Sequence, residues 1–400
     1  MAAPRWMGVV LACLLAFGLL TLWVPERWAV SAVQIGIYAL AGYWLVVAAV
    51  RDFPPRSHPL MIPLAGAALW GCVQLAAGTT IYRWATEVAV LDWFTRLAVF
   101  FTAWQLFAAM EERDRARVAR WLLWFGFAMA TLAILQKYTS PDRIFWLFAT
   151  EPGNVMGPFE YHNQYAVFIE TVLPLALVVA LRRGPDRWFA TLAAGVMIAS
   201  VVAAQSRAGI ALVLAESAVV LLLLKRRGRP IRSAAAAVLA LAAVFTLAVG
   251  YQPLRRKFDR SDQLAERRLL YLSTIEMAKD HPALGTGLGT WAIAYPAYAR
   301  FDDGRRDNQA HNDWLQWTAE GGLPMLALML GIPLLLVRPA LRTVWGVGLL
   351  AVLAHCLVDY PFGQRPALGY YYFALAALVC AFAAENDGHG AREDVQLEPD

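Results

Sequence analysis

The sequence predicts an all-α polytopic membrane protein with about twelve transmembrane helices and one large, mainly helical loop on the outer face, on three observations. Hydrophobic residues make up 59% of the 400 and charged residues only 16%, where soluble domains carry roughly 25% charged. The apolar residues run in blocks close to the roughly 20 needed to cross a hydrocarbon core. The Lys and Arg between the blocks are dense in one loop and sparse in the next, the pattern that sorts loops to the two sides of a membrane.

In chain order the spans fall at 6–24, 28–50, 59–77, 85–109, 118–136, 162–181, 188–205, 208–224, 233–251, 323–337, 342–358 and 367–384. The first is too long for the core of a cleaved signal and is followed at once by the second, so it reads as an uncleaved anchor. With the N-terminus placed in the cytoplasm, the inner side carries eighteen Lys and Arg, among them Arg113, Arg115, Arg117, Arg120 and the cluster 225–232. The short outer loops carry six, Arg27, Arg83, Lys137, Arg143, Arg207 and Arg365. Both termini are therefore expected in the cytoplasm. The same sorting accounts for the net charge of +5 without a nucleic-acid partner. Cys13, Cys72, Cys356 and Cys380 all fall within spans and imply no disulfide framework. The acidic stretch 385–400 reads as a disordered cytoplasmic tail. The organisation is then nine helices over 1–251, an outer loop over 252–322, three helices over 323–384, and the tail.

The outer loop holds the unusual chemistry. A helix is expected in "SDQLAERRLLYLSTIEMAKDHP", capped by Ser261 or Asp262 and stopped by His281-Pro282. The glycine-punctuated "LGTGLGTW" that follows succeeds a helix and not a strand, so it is a tight loop and no dinucleotide fingerprint. In "QAHNDWLQWTAEGGLP" (309–324), a helix from His311 onward sets Asn312, Gln316 and Glu320 on one stripe, four residues apart. Gly321-Gly322 and Pro324 then lead into the tenth span.

Other polar segments reach the same face. "SRAG" (206–209) holds Arg207 in a tight turn, and "GPFEYHNQYA" (157–166) brings Glu160, His162 and Asn163. "HCLVDYPFGQRP" (355–366) brings Asp359 and Arg365, while Asp92 and Arg96 in the fourth span are spaced to pair. Ionisable groups near the hydrocarbon are costly and mark function. Their convergence on one face predicts a site there. Asp302-Asp303 has neither a DxD spacing nor a histidine cluster beside it, so no metal or other cofactor is expected.

Taken in order, these segments resemble the O-antigen ligase and O-antigen polymerase superfamily of bacterial glycan-assembly membrane proteins. The likeness rests on Asn163 in its "GPFEYHN" setting, the Ser206-Arg207 turn, "ERRLLYLSTIEMAKDHPALGTGLG", and the series His311, Asn312, Leu315, Gln316, Glu320 and Gly322. It runs from about residue 155 to 365, and the first 150 residues match only in hydropathy. The resemblance implies an inner-membrane glycosyltransferase of lipopolysaccharide biosynthesis. Its ligases transfer O-antigen from undecaprenyl diphosphate to lipid A–core at the periplasmic face, without nucleotide or metal. Polymerases and protein O-oligosaccharyltransferases share the same segments. A lipid-linked glycan flippase, from a different class, should show internal repeats and polar groups along a through-path; neither is seen.

On this reading His311 is the general base toward the acceptor hydroxyl, since imidazole titrates near neutrality. Direct attack would invert the anomeric centre. A double displacement would need a carboxylate, with Glu320 and Asp359 as the nearest. Arg207 and Arg267 would steady the departing diphosphate, because planar guanidinium forks match phosphate oxygens; adjacent Arg268 is the alternative to Arg267. His162, Asn163, Asn312, Gln316, Glu320, Asp359, Arg143 and Arg365 are expected around the substrates. Asp359 either orients a catalytic group or pairs with Arg365. Membrane lipids are the remaining partner.

Overall fold

The computed structural model describes residues 5–150, 155–182, 184–229, 232–249, 262–300, 304, 307–363 and 365–388. Its helices are α1 (Arg5–Leu20), α2 (Arg27–Val50), α3 (Met61–Ala77), α4 (Arg83–Phe107), α5 (Glu112–Thr139), α6 (His162–Ala180), α7 (Arg187–Ala204), α8 (Arg207–Arg226) and α9 (Arg232–Val249). The loop helix α10 (Asp262–Asp280) follows, then α11 (Asp313–Thr343), α12 (Val347–His355) and α13 (Pro366–Gly388). A hairpin of two-residue strands, Arg143–Ile144 and Phe148–Ala149, is the sheet among the described residues. The protein is an all-α polytopic membrane protein.

Every predicted span overlaps a helix. Seven of them, α2, α5, α6, α7, α8, α11 and α13, are long and apolar enough to cross a bilayer, and Trp6–Leu20, Met61–Ala77 and Ala235–Ala248 are shorter apolar helices. The figure of twelve crossings stays a sequence expectation. The clearest departure is at the tenth and eleventh spans. α11 continues to Thr343 through Pro333 and Pro339, leaving α12 only nine residues. Neighbouring helices can satisfy the carbonyls that such prolines free inside a membrane protein. Ser261 and Asp302-Asp303 lie outside the described residues, as does the tail beyond 388.

Burial runs opposite to that of a water-soluble protein. Val50, Leu334, Trp121 and Ile62 project outward, while Gln34, Gln74, Glu170, Glu216 and His355 are buried between helices. α6 and α13 occupy the centre, with 100% and 94% of their apolar windows buried, against 28% for α8. Asp92 and Arg96, spaced to pair, each make hydrogen bonds to other groups. Gln34 and Tyr370 each donate to Asp92 Oδ1 at 2.8 Å. Arg96 donates to the Phe362 carbonyl at 2.9 Å and lies over the Trp93 ring.

The loops sort to two ends, as helix parity requires. One end is tied by Arg115–Glu385, by Arg120–Asp186 at 3.0 Å, and by Arg227 donating to the Leu341 and Arg342 carbonyls. The other end gathers 21–27, 157–162, 284–291, 307–312 and 356–366, with α10 across it.

Candidate active site

α12 stops at His355, and the chain turns so that the amides of Val358 and Asp359 both bond to the His355 carbonyl at 3.0 Å. This turn drives Asp359 inward to 2% exposure. Its carboxylate is the hub of the site. Tyr161 donates its hydroxyl to Oδ2 at 2.9 Å, Asn163 donates its amide to the same oxygen, and the Tyr360 amide donates to Oδ1 at 2.9 Å. His311 Nδ1 lies 3.6 Å from Oδ1, and a guanidinium nitrogen of Arg267 lies 3.8 Å from Oδ2.

Three further elements deliver these groups. Asn163 sits in the first turn of α6, just after Tyr161, and its amide also donates to the Tyr161 hydroxyl at 2.8 Å. α10 presents Arg267 and Tyr271 one turn apart. Arg267 donates to the Val358 carbonyl at 2.7 Å, and Tyr271 donates to the His311 carbonyl at 2.8 Å, so one helix face holds both sides of the site. α11 begins two residues later than the sequence implied. Asn312 is its N-cap, accepting from the Leu315 amide at 3.0 Å and donating to the Leu357 carbonyl at 2.8 Å. His311 therefore stands just outside the helix, at φ 52°. Histidine is among the side chains that tolerate this left-handed region, and such positions cluster at functional sites. Its ring packs edge-on against Tyr360, 4.8 Å between centroids, and Tyr360 stacks on Tyr161. The His311 side chain keeps 25% exposure, so Nδ1 faces the buried carboxylate while part of the ring stays open.

Burial pushes the Asp359 carboxyl up, but the imidazoles of His311 and His355 and the Arg267 guanidinium outweigh it and hold it at about 2. Burial and the Asp359 charge raise the phenols of Tyr161 and Tyr360 above their ordinary value of 10.0, which keeps both neutral donors.

The other expected residues are dispersed around this centre. Arg268 is exposed on α10, so Arg267 is the member of the pair that meets Asp359. Arg365 donates to Glu160 at 2.6 Å, and of the two roles held open for Asp359 the structure shows contact with His311. Arg207 opens α8 behind its Ser206 cap. Two residues on, Gly209 presses against Ala166 of α6, which brings that helix start beside the element carrying Asn163. His162 begins α6 and packs edge-on against Tyr161. Arg143 is exposed in the small hairpin, donating to the Leu147 carbonyl at 3.5 Å.

Gln316 and Glu320 turn to the glycine loop. Glu320 accepts from the amides of Gly289 (2.9 Å) and Trp291 (3.1 Å) and from Gln316 (3.1 Å), while Gln316 accepts from the Ala310 amide. Gln74 of α3 grips the same loop, accepting from the Leu288 amide at 3.0 Å and donating to the carbonyls of Leu284 and Glu320. A Cβ on Gly285, at φ 67°, would lie 2.2 Å from the Glu320 carbonyl oxygen, so this approach admits only glycine. Sequence reasoning missed Tyr161, Tyr271 and Tyr360. Each lies within four residues of a residue it did select, and nothing in composition separates them from the many interfacial aromatics of such a chain.

Residues 192–330 match the family described as O-antigen ligase. The match includes Arg207, α10, the glycine loop and His311. Asn163 and Asp359, which complete the hub, lie outside it. No curated protein matches the chain.

Proposed function

We propose that this chain, whose residues 192–330 match the family described as O-antigen ligase, is a glycosyltransferase that moves O-antigen polysaccharide from undecaprenyl diphosphate to lipid A–core at the periplasmic face of the inner membrane. The observation that carries the reading is the partly open His311 ring, with Nδ1 3.6 Å from a buried, ionised Asp359. A carboxylate beside Nδ1 favours the proton on that nitrogen and leaves the Nε2 lone pair for chemistry.

Nε2 takes the proton of the acceptor hydroxyl as its oxygen attacks the anomeric carbon. The bond from that carbon to the diphosphate breaks, and its electron pair leaves on the diphosphate. The imidazolium so formed is stabilised by Asp359, which stays ionised. A base in this role contributes about 10²–10⁴-fold. Glu320 is committed to the glycine loop and Asp359 to Tyr161 and Asn163, which favours single displacement with inversion over a carboxylate-bound intermediate.

The leaving diphosphate gathers negative charge. Arg207 at the start of the twenty-residue α8 adds its charge to a helix end whose dipole favours anions. Arg267, still partly exposed beyond its bond to Val358, offers a second guanidinium beside the reacting centre.

Expression in a strain lacking its own ligase tests the reading. Wild-type protein should restore long-chain glycan on lipid A–core in lipopolysaccharide gels, and His311→Ala should abolish it at equal membrane abundance. Lengthened ladders of repeats would show a polymerase instead, and full transfer by His311→Ala would remove the base from the mechanism.

A further inference from the structure

The segments that carry the base and its carboxylate are laced together by a residue to which the mechanism gives no part. Asp313, two positions after His311, is 1% exposed in the first turn of α11. Its amide donates to the carbonyls of Cys356 at 2.9 Å and Asp359 at 3.2 Å, and its Oδ2 accepts from the Phe362 amide at 3.0 Å. Asn312 adds its bond to the Leu357 carbonyl. The two residues that follow His311 therefore hold the Asp359 turn at both of its ends.

His311 and Asp359 do not hold each other. The 3.6 Å between Nδ1 and Oδ1 is too long for a hydrogen bond, so the backbones that carry the two side chains set their separation. The carboxylate of Asp313 is buried, a costly place for a charge without a partner. Arg96 of α4, itself 5% exposed, supplies the opposite charge and donates to the Phe362 carbonyl at 2.9 Å. The amide and carbonyl of one residue are thus gripped by buried groups of opposite sign. α13 makes room for this, since a Cβ on Gly369 would lie 3.2 Å from Arg96 Nε and 3.3 Å from the Phe362 ring. That ring stacks on Trp317 of α11 and meets Tyr372 of α13 edge-on. The far end of the turn is anchored in the core while Asp359 stands at the site. Among the described residues, Arg96 and Asp359 are the charges that act on Asp313, with the Cys356 thiol beside it.

We propose that Asp313 is a positioning residue, whose bond to the Phe362 amide fixes the Asp359 turn at the distance from His311 that transfer requires. The consequence for rate rests on the glycosyltransferase reading; the consequence for the His311 ring does not. Loss of the acceptor frees the turn at Phe362 and lets the Asp359 carboxylate drift from Nδ1. Such drift matters, because a misplacement of about 1 Å can cost on the order of 10²-fold in rate. The neutral ring would also lose the partner that keeps its proton on Nδ1, and its two tautomers would mix.

The test compares Asp313→Ala and Asp313→Asn in the full chain in nanodiscs. A third variant carries the α-hydroxy analogue of phenylalanine at position 362, which deletes only the amide proton. Nitrogen NMR of labelled histidine rings, assigned by the signal lost in His311→Gln, reads the tautomer. Turnover gives kcat and separate donor and acceptor KM values. Asp313→Asn should keep the His311 proton on Nδ1 and most of the wild-type rate, since asparagine still accepts from Phe362. Asp313→Ala and the Phe362 analogue should both mix the tautomers and lower kcat by about 10–100-fold, with both KM values unchanged. The analogue leaves Asp313 in place, so it decides the matter should Asp313→Ala fail to fold. The proposal is overturned if the analogue keeps the wild-type tautomer and kcat, if Asp313→Asn is as slow as Asp313→Ala, or if KM alone rises. Tautomers that mix in the variants of a protein without transfer would defeat the proposed function and leave the positioning role standing. An active enzyme whose rate and tautomer ignore both acceptor-bond deletions would do the reverse.

Discussion

Asp359 keeps a negative charge in surroundings that would otherwise neutralise it, because two imidazoles and a guanidinium face it and three donors bond to it. Its folded value of about 2 lies below the ordinary 3.8. The ionised form is therefore the one the fold binds, and its stabilising contribution is complete above 3.8 and lost as pH falls through that value toward 2. Thermal stability should hold from neutrality down to about pH 4 and fall below it. Asp359→Asn should remove that acid-side slope and slow transfer by about 10–100-fold, since it takes away the group that orients the base. Unfolding scans across pH and initial rates check both, and wild-type turnover in Asp359→Asn would show that His311 needs no such partner. The choice between Arg267 and Arg268 was also made at this scale. One step along a helix turns a side chain by about 100°, and only the packed structure shows which of two neighbours faces inward.

At the scale of elements, α11 is two helices held in line by a break. Gly322 takes φ 69° and ψ −170°, a region open to glycine alone. A Cβ there would lie 2.7 Å from the carbonyl oxygens of Pro282 and Ala283, and the Leu323 amide bonds to Pro282 at 2.8 Å. The break lets the end of the loop helix rest on the membrane helix, and so sets 311–321 against the glycine loop. Gly322→Ala should cost at least about 1–3 kcal/mol and reduce transfer further than the unfolded fraction explains. Melting curves in detergent beside residual activity would show it, and a variant as stable as wild type would mean that the break is incidental. "EGGLP" announces a break in the sequence. That the carbonyl of Pro282, some forty positions earlier, fills it is not written there.

For the whole molecule, lipid replaces water as the surrounding solvent, and polar groups turn inward. The pair of Glu170 on α6 and His355 on α12, 2.8 Å apart and fully buried, shows this most plainly, beneath the turn that carries Asp359. The arginine-rich loops lie at the end opposite the site, so positive-inside sorting predicts that the site faces the periplasm. A cysteine placed at the exposed Arg268 should react with an impermeant maleimide in intact cells, and one at the exposed end of Arg117 should not. The reverse labelling would set His311 against the cytosol and defeat a lipid-linked donor supplied from outside.

Helix positions and the face on which the polar segments meet were legible because hydropathy and charge sum over whole segments and survive errors of a few residues. The membrane class and the loop helix follow from the chain alone, whereas the expectation for His311 rests on the family resemblance. Pairing is different in kind. Asn163 and Asp359 stand 196 residues apart yet share a hydrogen bond; Arg365 goes to Glu160, and Glu320 goes to the glycine loop. Such contacts depend on how helices rotate and pack against one another, an outcome of many small dispersion and steric terms acting together, which no local stretch of sequence encodes.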